Sequence, residues 1–227
     1  FVDVRDLADF IIDTIDDGIG ADSGSAYVFV RSGSAWNQQA KLTASDATAG
    51  DQFGTAVAIS GNTIVVGAAS DDDLGSNSGS VYVFVRNGTI WSQQTKLLAS
   101  DGALLDFFGS TVDVHVNTAV VGASLNDDSG SASGSAYVFV RSGAIWTQQA
   151  KLTASDAASG DQFGFSVSIS GNTLAIGSPQ DDDAGTGSGS AYVFLRSGTS
   201  WSQQAKLSAS DAASAAQAYA DIAQIAE

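Results

Sequence analysis

The chain has 227 residues, of which 44% are apolar, so it is long enough and apolar enough to bury a hydrophobic core. Its 25 acidic residues outnumber its 9 basic residues and give a net charge of −16, which argues against a nucleic-acid partner because phosphate binding needs a basic face. It has no cysteine, so disulfides are excluded, and its apolar runs are too short to span a membrane.

The amino-terminal segment, residues 1–15, supports two interpretations. Its first residues, FVDVRD, alternate apolar and polar side chains as a strand does, whereas Leu7, Phe10 and Ile15 recur at a helical spacing. The sequence is compatible with both interpretations. Because the chain lacks methionine even at position 1, we expect a processed chain or a segment of a longer one, and a removed secretory signal would explain this.

The rest of the sequence is dominated by a repeat of 55 residues. The segment SAYVFVRSG at 25–33 returns with few changes at 80–88, 135–143 and 190–198, and the tryptophans keep the same period. A fixed period of this size is typical of repeat architectures such as propellers. The repeat divides the chain into four units: 1–55, 56–110, 111–165 and 166–220.

Each unit has the pattern of a four-stranded sheet. Residues 53–60 and 62–69 are short β-branched runs that meet at a Gly-Asn turn, residues 80–88 alternate as a two-faced strand does, and a fourth strand follows Asn87-Gly88. The sequence therefore predicts an all-β fold, a single β-propeller domain over 1–227 with four 55-residue blade units of four antiparallel strands each. A β-solenoid is the alternative, although its repeats are usually shorter.

One hairpin departs from the others. Val116 stands where the neighbouring copies have glycine in the turn. Because valine disfavours the left-handed backbone that such a turn uses, we expect a different turn or a shifted bend in this copy.

Two short motifs in each unit carry a resemblance to a known family. Phe-Gly pairs occur at 53–54, 108–109 and 163–164, and Gly-Ala-Ala or its variants follow at 67–69, 122–124 and 177–179. In this register the sequence resembles the FG-GAP repeats of bacterial surface proteins, which are related to the integrin α-chain propeller. The resemblance implies a β-propeller, an extracellular or cell-surface setting, and a role in adhesion or assembly rather than catalysis.

Four acidic loops recur between the second and third strands of the units. Oxygen ligands on flexible, glycine-bearing loops suit Ca²⁺, so we predict Ca²⁺ as a cofactor bound by these loops. The predicted metal ligands are Asp16, Asp17, Asp22, Asp71, Asp73, Asn77, Asn126, Asp128, Asp181 and Asp183. The alternative is a set of solvated acidic turns. The metal loops of integrins lie between the FG and GAP motifs, so their ligands cannot be carried over by position.

A second acidic series flanks the entrance to each FG strand: Asp46/Asp51, Asp101/Asp106 and Asp156/Asp161. We expect these carboxylates to cap turns by accepting backbone N–H bonds, with metal ligation as the alternative. The periodic tryptophans Trp36, Trp91, Trp146 and Trp201 are expected to pack between neighbouring blades, with sugar binding as the alternative.

No residues in the sequence form a differentiated catalytic pair. The single histidine, His115, has no cysteine or second histidine with which to bind zinc, and the carboxylate pairs are repeated loop features. The sequence therefore predicts a protein that is not an enzyme.

The carboxyl-terminal segment, residues 212–227, replaces the expected next FG strand with an alanine-rich stretch that favours a helix. We expect residues 1–15 and 212–227 to close the ring or to join subunits head-to-tail. The predicted function is a Ca²⁺-stabilised, extracellular structural module that self-associates, or joins neighbouring domains, into a surface array or filament. The alternative is an adhesin or lectin-like propeller that binds a glycan or a protein ligand.

Overall fold

The computed structural model describes residues 8–13, 19–183 and 185–210. These residues form four antiparallel sheets and no helix. Sheet I contains β1 (Ala8–Asp13), β2 (Ser25–Ser32) and β3 (Ala35–Leu42). Sheet II contains β4 (Phe53–Ser60), β5 (Thr63–Ala68), β6 (Ser80–Asn87) and β7 (Ile90–Leu97). Within the described ranges no helix could cross a membrane.

The last two sheets repeat the order of sheet II. Sheet III contains β8 (Thr111–His115), β9 (Thr118–Ala123), β10 (Ser135–Ser142) and β11 (Ile145–Leu152). Sheet IV contains β12 (Ser166–Ser170), β13 (Thr173–Ser178), β14 (Ser190–Ser197) and β15 (Ser200–Leu207). Consecutive strands pair in order within each sheet, so the predicted all-β fold of propeller blades is confirmed.

Sheet I differs from the others in its first strands. Ala8 pairs with Val30 as Thr63 pairs with Val85, so β1 occupies the position of the second strand of a blade. A helix is therefore wrong for residues 8–13, because they hydrogen-bond to β2 as a strand. The remainder of 1–15, and all of 212–227, lie outside the described residues.

Every blade has two different faces, because side chains alternate along its third strand. In β6, Val81 and Val83 point to the following sheet, whereas Tyr82 and Phe84 point to the preceding one. We call these the forward face and the backward face. Three hydrophobic cores result, between sheets I and II, II and III, and III and IV, each joining small side chains of one forward face to aromatic side chains of the next backward face.

The FG and GAP motifs meet across these interfaces. A Cβ placed on Gly67, the GAP glycine of sheet II, would lie 2.0 Å from the carbonyl oxygen of Gly109, the FG glycine that precedes sheet III. Only glycine permits that approach of two backbones. The FG phenylalanine beside it, Phe108, packs edge-to-face on Tyr137 and Phe139, with ring centroids 5.3 and 5.9 Å apart. The motifs are therefore packing devices between blades.

Two adjacent glutamines of the fourth strand make polar contacts between neighbouring sheets. The second of them, such as Gln94, is the extra residue of a β-bulge. Its side-chain oxygen accepts a hydrogen bond of 2.9 Å from the indole nitrogen of Trp146 in the following sheet. The first glutamine reaches the preceding sheet instead, where Gln93 donates to the hydroxyl of Ser45 and accepts from its N–H, both at 3.0 Å.

The tryptophans pack between blades as predicted, except at the open end of the stack. Trp91, Trp146 and Trp201 join the cores and each donates to a glutamine of the preceding sheet. Trp36 of sheet I is 45% exposed. Among the described residues, no hydrophobic core joins sheet IV back to sheet I.

The expectation of a different turn at Val116 is wrong. Val116 has a φ of 56°, close to the 60° of Gly61 and Gly171 in the equivalent hairpins. The turn is kept, and a β-branched residue adopts the left-handed backbone that glycine tolerates best. The N–H of Val116 donates a 3.0 Å hydrogen bond to Ser60 Oγ of the neighbouring sheet, which holds it in this conformation.

Candidate functional site at the acidic loops

The acidic loops are built around their first residue. Asp71 follows β5, is only 3% exposed, and accepts a hydrogen bond of 3.1 Å on Oδ1 from the N–H of Asp73. Its carbonyl oxygen accepts hydrogen bonds from the N–H of Gly79 and the hydroxyl of Ser78, which close the loop. Short polar side chains that bond their own backbone favour such turns, and this explains why Asp occurs here.

The side chains of this loop converge on a lysine. The ammonium of Lys96, on β7, lies 2.9 Å from Asp71 Oδ2 and 2.6 Å from Asp73 Oδ2. Asp46, which follows the last strand of the preceding sheet, contributes a third carboxylate oxygen at 3.0 Å. The negative charge of the loop is therefore partly neutralised by a cation from its own sheet.

The same cluster recurs in the last sheet. Lys206 lies 2.7 Å from Asp156 Oδ2, 2.8 Å from Asp181 Oδ2, and in direct contact with Asp183. We call the groups around Lys96, Lys151 and Lys206 the lysine clusters. Because one carboxylate comes from the preceding sheet and the others from the lysine's own sheet, each cluster joins two blades.

The middle cluster has one carboxylate fewer. Lys151 contacts Asp101 and Asp128, but Asn126 stands where its neighbours have the first aspartate. The side chain of Asn126 donates to Asp106 and accepts from the hydroxyl of Ser135, so it serves the loop rather than the lysine. The acidic loops therefore do not all offer the same set of carboxylates to a cation.

A buried tyrosine completes each cluster. The hydroxyl of Tyr82 lies 2.9 Å from Asp46 Oδ1 and 3.0 Å from Asp71 Oδ2, and the Lys96 ammonium sits 5.1 Å from the centre of its ring. Tyr137 and Tyr192 hold the equivalent positions beside Lys151 and Lys206. Hydrogen bonds and a cation–π contact thus hold the lysine over the aromatic ring.

The charges in these clusters shift one another's pKa. Burial alone would raise the pKa of Asp46, but hydrogen bonds from Lys96 and Tyr82 outweigh burial and lower it. Burial alone would lower the pKa of Lys96, but hydrogen bonds to Asp71 and Asp73 raise it. Both groups are therefore held in their charged forms.

Asn77 and Asp22 have a backbone role in their loops. Both adopt the left-handed conformation, with φ values of 53° and 55°, and Ala132 does the same in the third loop with 52°. The side-chain nitrogen of Asn77 donates to Ser76, and its N–H donates to Asp72. Metal ligation by Asn77 and Asp22 stays a prediction, and their left-handed backbone gives a reason for Asn and Asp here without it.

The second acidic series divides into two roles. Asp51, Asp106 and Asp161 are buried and accept N–H bonds of 2.6 to 2.8 Å from residues three positions earlier in the chain, so they cap turns as predicted. Burial raises the pKa of Asp106 and Asp161. Asp46, Asp101 and Asp156 instead bind the lysines.

One group of carboxylates has the spacing of a metal site. Oxygen atoms of Asp156, Asp181 and Asp183 lie within 4.8 Å of one another, so the group could hold a metal ion. The ammonium of Lys206 already binds all three, however, and Tyr192 and Ser190 donate further hydrogen bonds to Asp181. The donor set fits an ammonium, and a divalent cation would have to displace Lys206. Asp16 and Asp17 lie outside the described residues.

The sequence predicts the acidic loops but misses their partner. Apart from Asp22, seven of the predicted ligands lie within the described residues. Five of these seven belong to lysine clusters: Asp71, Asp73, Asp128, Asp181 and Asp183. The missing signal is the lysine of each QQ(A/T)KL segment, which recurs 25 positions after the first loop residue and 50 after the preceding aspartate. A constant spacing between opposite charges in every repeat indicates contact.

These features define a class of protein: an all-β repeat protein whose blades are joined by FG and GAP glycines, tryptophan–glutamine pairs and lysine clusters. The FG-GAP repeat family matches residues 36–84, 91–139 and 146–194, which is more than half of the chain. The chain therefore belongs to the FG-GAP repeat family.

No curated protein matches the chain. Among solved structures, the crystal structure of the Saccharomyces cerevisiae Sqt1 superposes with a TM-score of 0.46 at 11% identity. The match covers 69% of this chain and 36% of that chain, so this chain spans about a third of the length of the structure it resembles.

Proposed function

We propose that this chain is an extracellular structural module that associates with further copies of itself through the ends of its stack of sheets. The observation that carries the proposal is the exposure of apolar side chains at both ends. Leu207 of sheet IV is 55% exposed, although the equivalent Leu97 is 4% exposed, and Trp36 of sheet I is 45% exposed against 9% for Trp91. Apolar surfaces that equivalent blades bury are typical of interaction sites.

The proposal includes the absence of enzymatic activity. In the described part of the chain, the acidic residues of the lysine clusters hold blades together, and those of the second series cap turns. Carboxylates in such uses have charge partners or backbone donors already. A catalytic acid and base would need two differently tuned groups beside a substrate cavity.

The extracellular setting is supported by the membership of the FG-GAP repeat family. The net charge of −16 favours solubility and a cationic partner over a nucleic acid. Calcium stabilisation stays part of the proposal in a restricted form: Ca²⁺ binds where it can displace a lysine or use the remaining carboxylates. An open cleft beside the Lys96 cluster, lined by Asp46, Thr48, Asp51 and Asp71–Asp73, offers such oxygens.

Self-association is tested by measuring the mass of the purified chain over a range of concentrations, by light scattering and analytical ultracentrifugation, with electron microscopy of the concentrated sample. We expect the mean mass to rise with concentration and to exceed that of one chain. A mass of one chain at every concentration overturns the proposal. A glycan array tests the adhesin alternative, and we expect no binding on it.

A further inference from the structure

We propose that the association is head-to-tail, with the forward face of sheet IV in one copy packed on the backward face of sheet I in the next. This rests on the proposed function, since it requires that the chain self-associates. The contact would repeat the three interfaces that already join sheets I to IV. The partner is therefore a second copy of this chain.

The forward face of sheet IV carries the apolar side chains that the other sheets bury. Leu207 is equivalent to Leu42, Leu97 and Leu152, each no more than 6% exposed in the core against the following sheet. Leu195, near the end of β14 on the same face, is 41% exposed, and Val193 is half-buried although the equivalent Val138 is fully buried. Among the described residues, no further sheet packs on this face.

The backward face of sheet I carries the matching aromatic side chains. Trp36 is 45% exposed, and Phe29 is half-buried although the equivalent Phe84 is 4% exposed. At each internal interface the tryptophan and phenylalanine of this face pack on the small side chains of the sheet before it. The two end faces thus hold the two halves of one interface.

Polar groups at the two ends also match. Gln204 is the bulged glutamine of sheet IV, and its side-chain nitrogen donates to Ser202, whereas the equivalent oxygens of Gln39, Gln94 and Gln149 accept from the next tryptophan. In a head-to-tail contact, the oxygen of Gln204 would accept from the Trp36 indole of the other copy. Gln38 of sheet I is equivalent to Gln93, and Ser210 is equivalent to Ser45, the residue to which Gln93 is hydrogen-bonded. Gln38 and Ser210 are both exposed, and a head-to-tail contact would bring them together.

The chemistry of the faces sets the geometry. An aromatic backward face packs on a forward face of small and branched side chains, so neither face complements itself. A two-fold dimer would need one self-complementary patch, whereas two different complementary patches give heterologous contacts. The assembly is therefore a ring or a filament.

The decisive experiment is complementation between two blocked variants. Leu207→Arg places a charge on the forward end face and leaves sheet I intact, whereas Trp36→Arg blocks the backward end face and leaves sheet IV intact. Truncating a central apolar contact of an interface costs about 2 kcal/mol or more, so we expect each variant alone to associate at least about 30-fold more weakly. Mixed, they retain one intact pair of faces and should form a dimer with one copy of each.

Two controls accompany the mixture. Ile145→Arg adds the same charge at an apolar residue that is 68% exposed and begins β11, away from both end faces, and should associate as the unaltered chain does. Circular dichroism and the melting temperature of each variant establish that it is folded. Both altered residues are already exposed, so we expect folding to be preserved.

Cross-linking tests the register of the contact, since the chain has no cysteine. Gln38→Cys and Ser210→Cys, mixed and treated with a short bismaleimide, should give a cross-linked dimer that neither variant gives alone. The double variant Ser45→Cys/Gln93→Cys is the matched control, because these side chains already bond within one chain and should cross-link internally.

The outcomes separate the two proposals. If the unaltered chain stays monomeric, the proposed self-association fails and this inference with it. If the unaltered chain associates but both blocked variants associate equally well, or the mixture gives no dimer, the head-to-tail contact is overturned and self-association stands.

Discussion

The inner sheets and the end sheets have nearly the same sequence and very different surroundings. Sheets II and III bury both faces, whereas sheet IV leaves its forward face, and sheet I its backward face, partly exposed. Leu97 and Leu207 occupy the same position of the repeat and are 4% and 55% exposed. Burial is therefore set by the place of a sheet in the stack and not by its residues.

On its backward face, sheet IV resembles the inner sheets. Sheet IV buries its backward face on sheet III, so Lys206 has the same partners there as Lys96 has between sheets I and II. A residue of sheet IV should thus matter as much as its equivalent in an inner sheet when it faces backward, and less when it faces forward, whereas in sheet I the two faces exchange roles. Substitutions of the leucines, the lysines and the turn residues test this division.

The largest difference is expected for the forward-facing leucines. Leu97→Ala should lower the free energy of unfolding by about 3 kcal/mol because it leaves a cavity in a buried core. Leu207→Ala should lower it by less than about 0.5 kcal/mol, since most of that side chain already contacts water. Urea denaturation at concentrations below self-association measures both. Equal losses would mean that the end face is covered within one chain.

The lysines should show no such difference. Lys96→Met and Lys206→Met each remove a cation from three carboxylates, and each should cost about 2 kcal/mol, less than a fully buried pair because the clusters are partly exposed. Lys151→Met should cost less, since its cluster has one carboxylate fewer. Melting temperatures would rank the three variants.

The same variants test calcium. Adding Ca²⁺ should raise the melting temperature of Lys206→Met, whose three carboxylates are then free to bind it, more than that of the unaltered chain. A large rise in the unaltered chain, reversed by a chelator, would instead mean that Ca²⁺ displaces the lysines. No rise in either protein would remove calcium from the proposed function.

For the turn residues too, the effect of a substitution on the free energy of unfolding should not depend on which sheet carries it. Val116→Gly should raise the free energy of unfolding by about 1 kcal/mol, because glycine adopts a φ of 56° without strain. Gly171→Val in sheet IV should lower it by a similar amount, since a Cβ there would meet no neighbour and only the backbone is strained. Denaturation midpoints of the two variants check this symmetry, and a change of the same sign in both would contradict it.

The smallest effect is expected from the opposing titration of the two acidic series. Asp46, Asp101 and Asp156 have lowered pKa values, so their contribution to stability is present above the ordinary pKa of 3.8 and is lost as pH falls below it. Asp106 and Asp161 have raised pKa values, so protonating them as pH falls favours the folded state. Stability should therefore be nearly flat near neutral pH and fall only in strong acid.

The variant Asp106→Asn sharpens this prediction. It removes a group whose protonation stabilises the fold, so its stability should fall more steeply with acid than that of the unaltered chain. Melting temperature measured as a function of pH compares the two. A shallower fall would contradict the raised pKa of Asp106.

The sequence predicts the blades because periodicity is a local signal that repeats. Alternating residues such as Val81 and Tyr82 fix both faces of a strand, and the 55-residue period fixes the number of sheets. It does not predict the turn at Val116, because a hydrogen bond to Ser60 in another sheet helps hold that conformation. Nor does it decide between strand and helix at 8–13, where pairing with β2 overrides the helical spacing.

The site was harder to predict for the same reason. The acidic loop at Asp71 is visible in the sequence, but Lys96 is 25 residues away and Asp46 belongs to the preceding sheet. Contacts between blades are set by stacking, which a pattern within one unit does not contain. The equal spacing of lysine and aspartate in every copy is the available signal, and it needs the copies to be compared.

Each 55-residue unit supplies nearly all of one blade together with both a forward and a backward face, and this bears on how such genes change length. Duplicating or deleting a whole unit adds or removes a sheet while leaving every remaining interface of the same kind: glycine against glycine, tryptophan against glutamine, lysine against aspartate. No compensating substitution is required at the junction. Recombination between copies can therefore change the number of blades while the residues that form each interface stay the same.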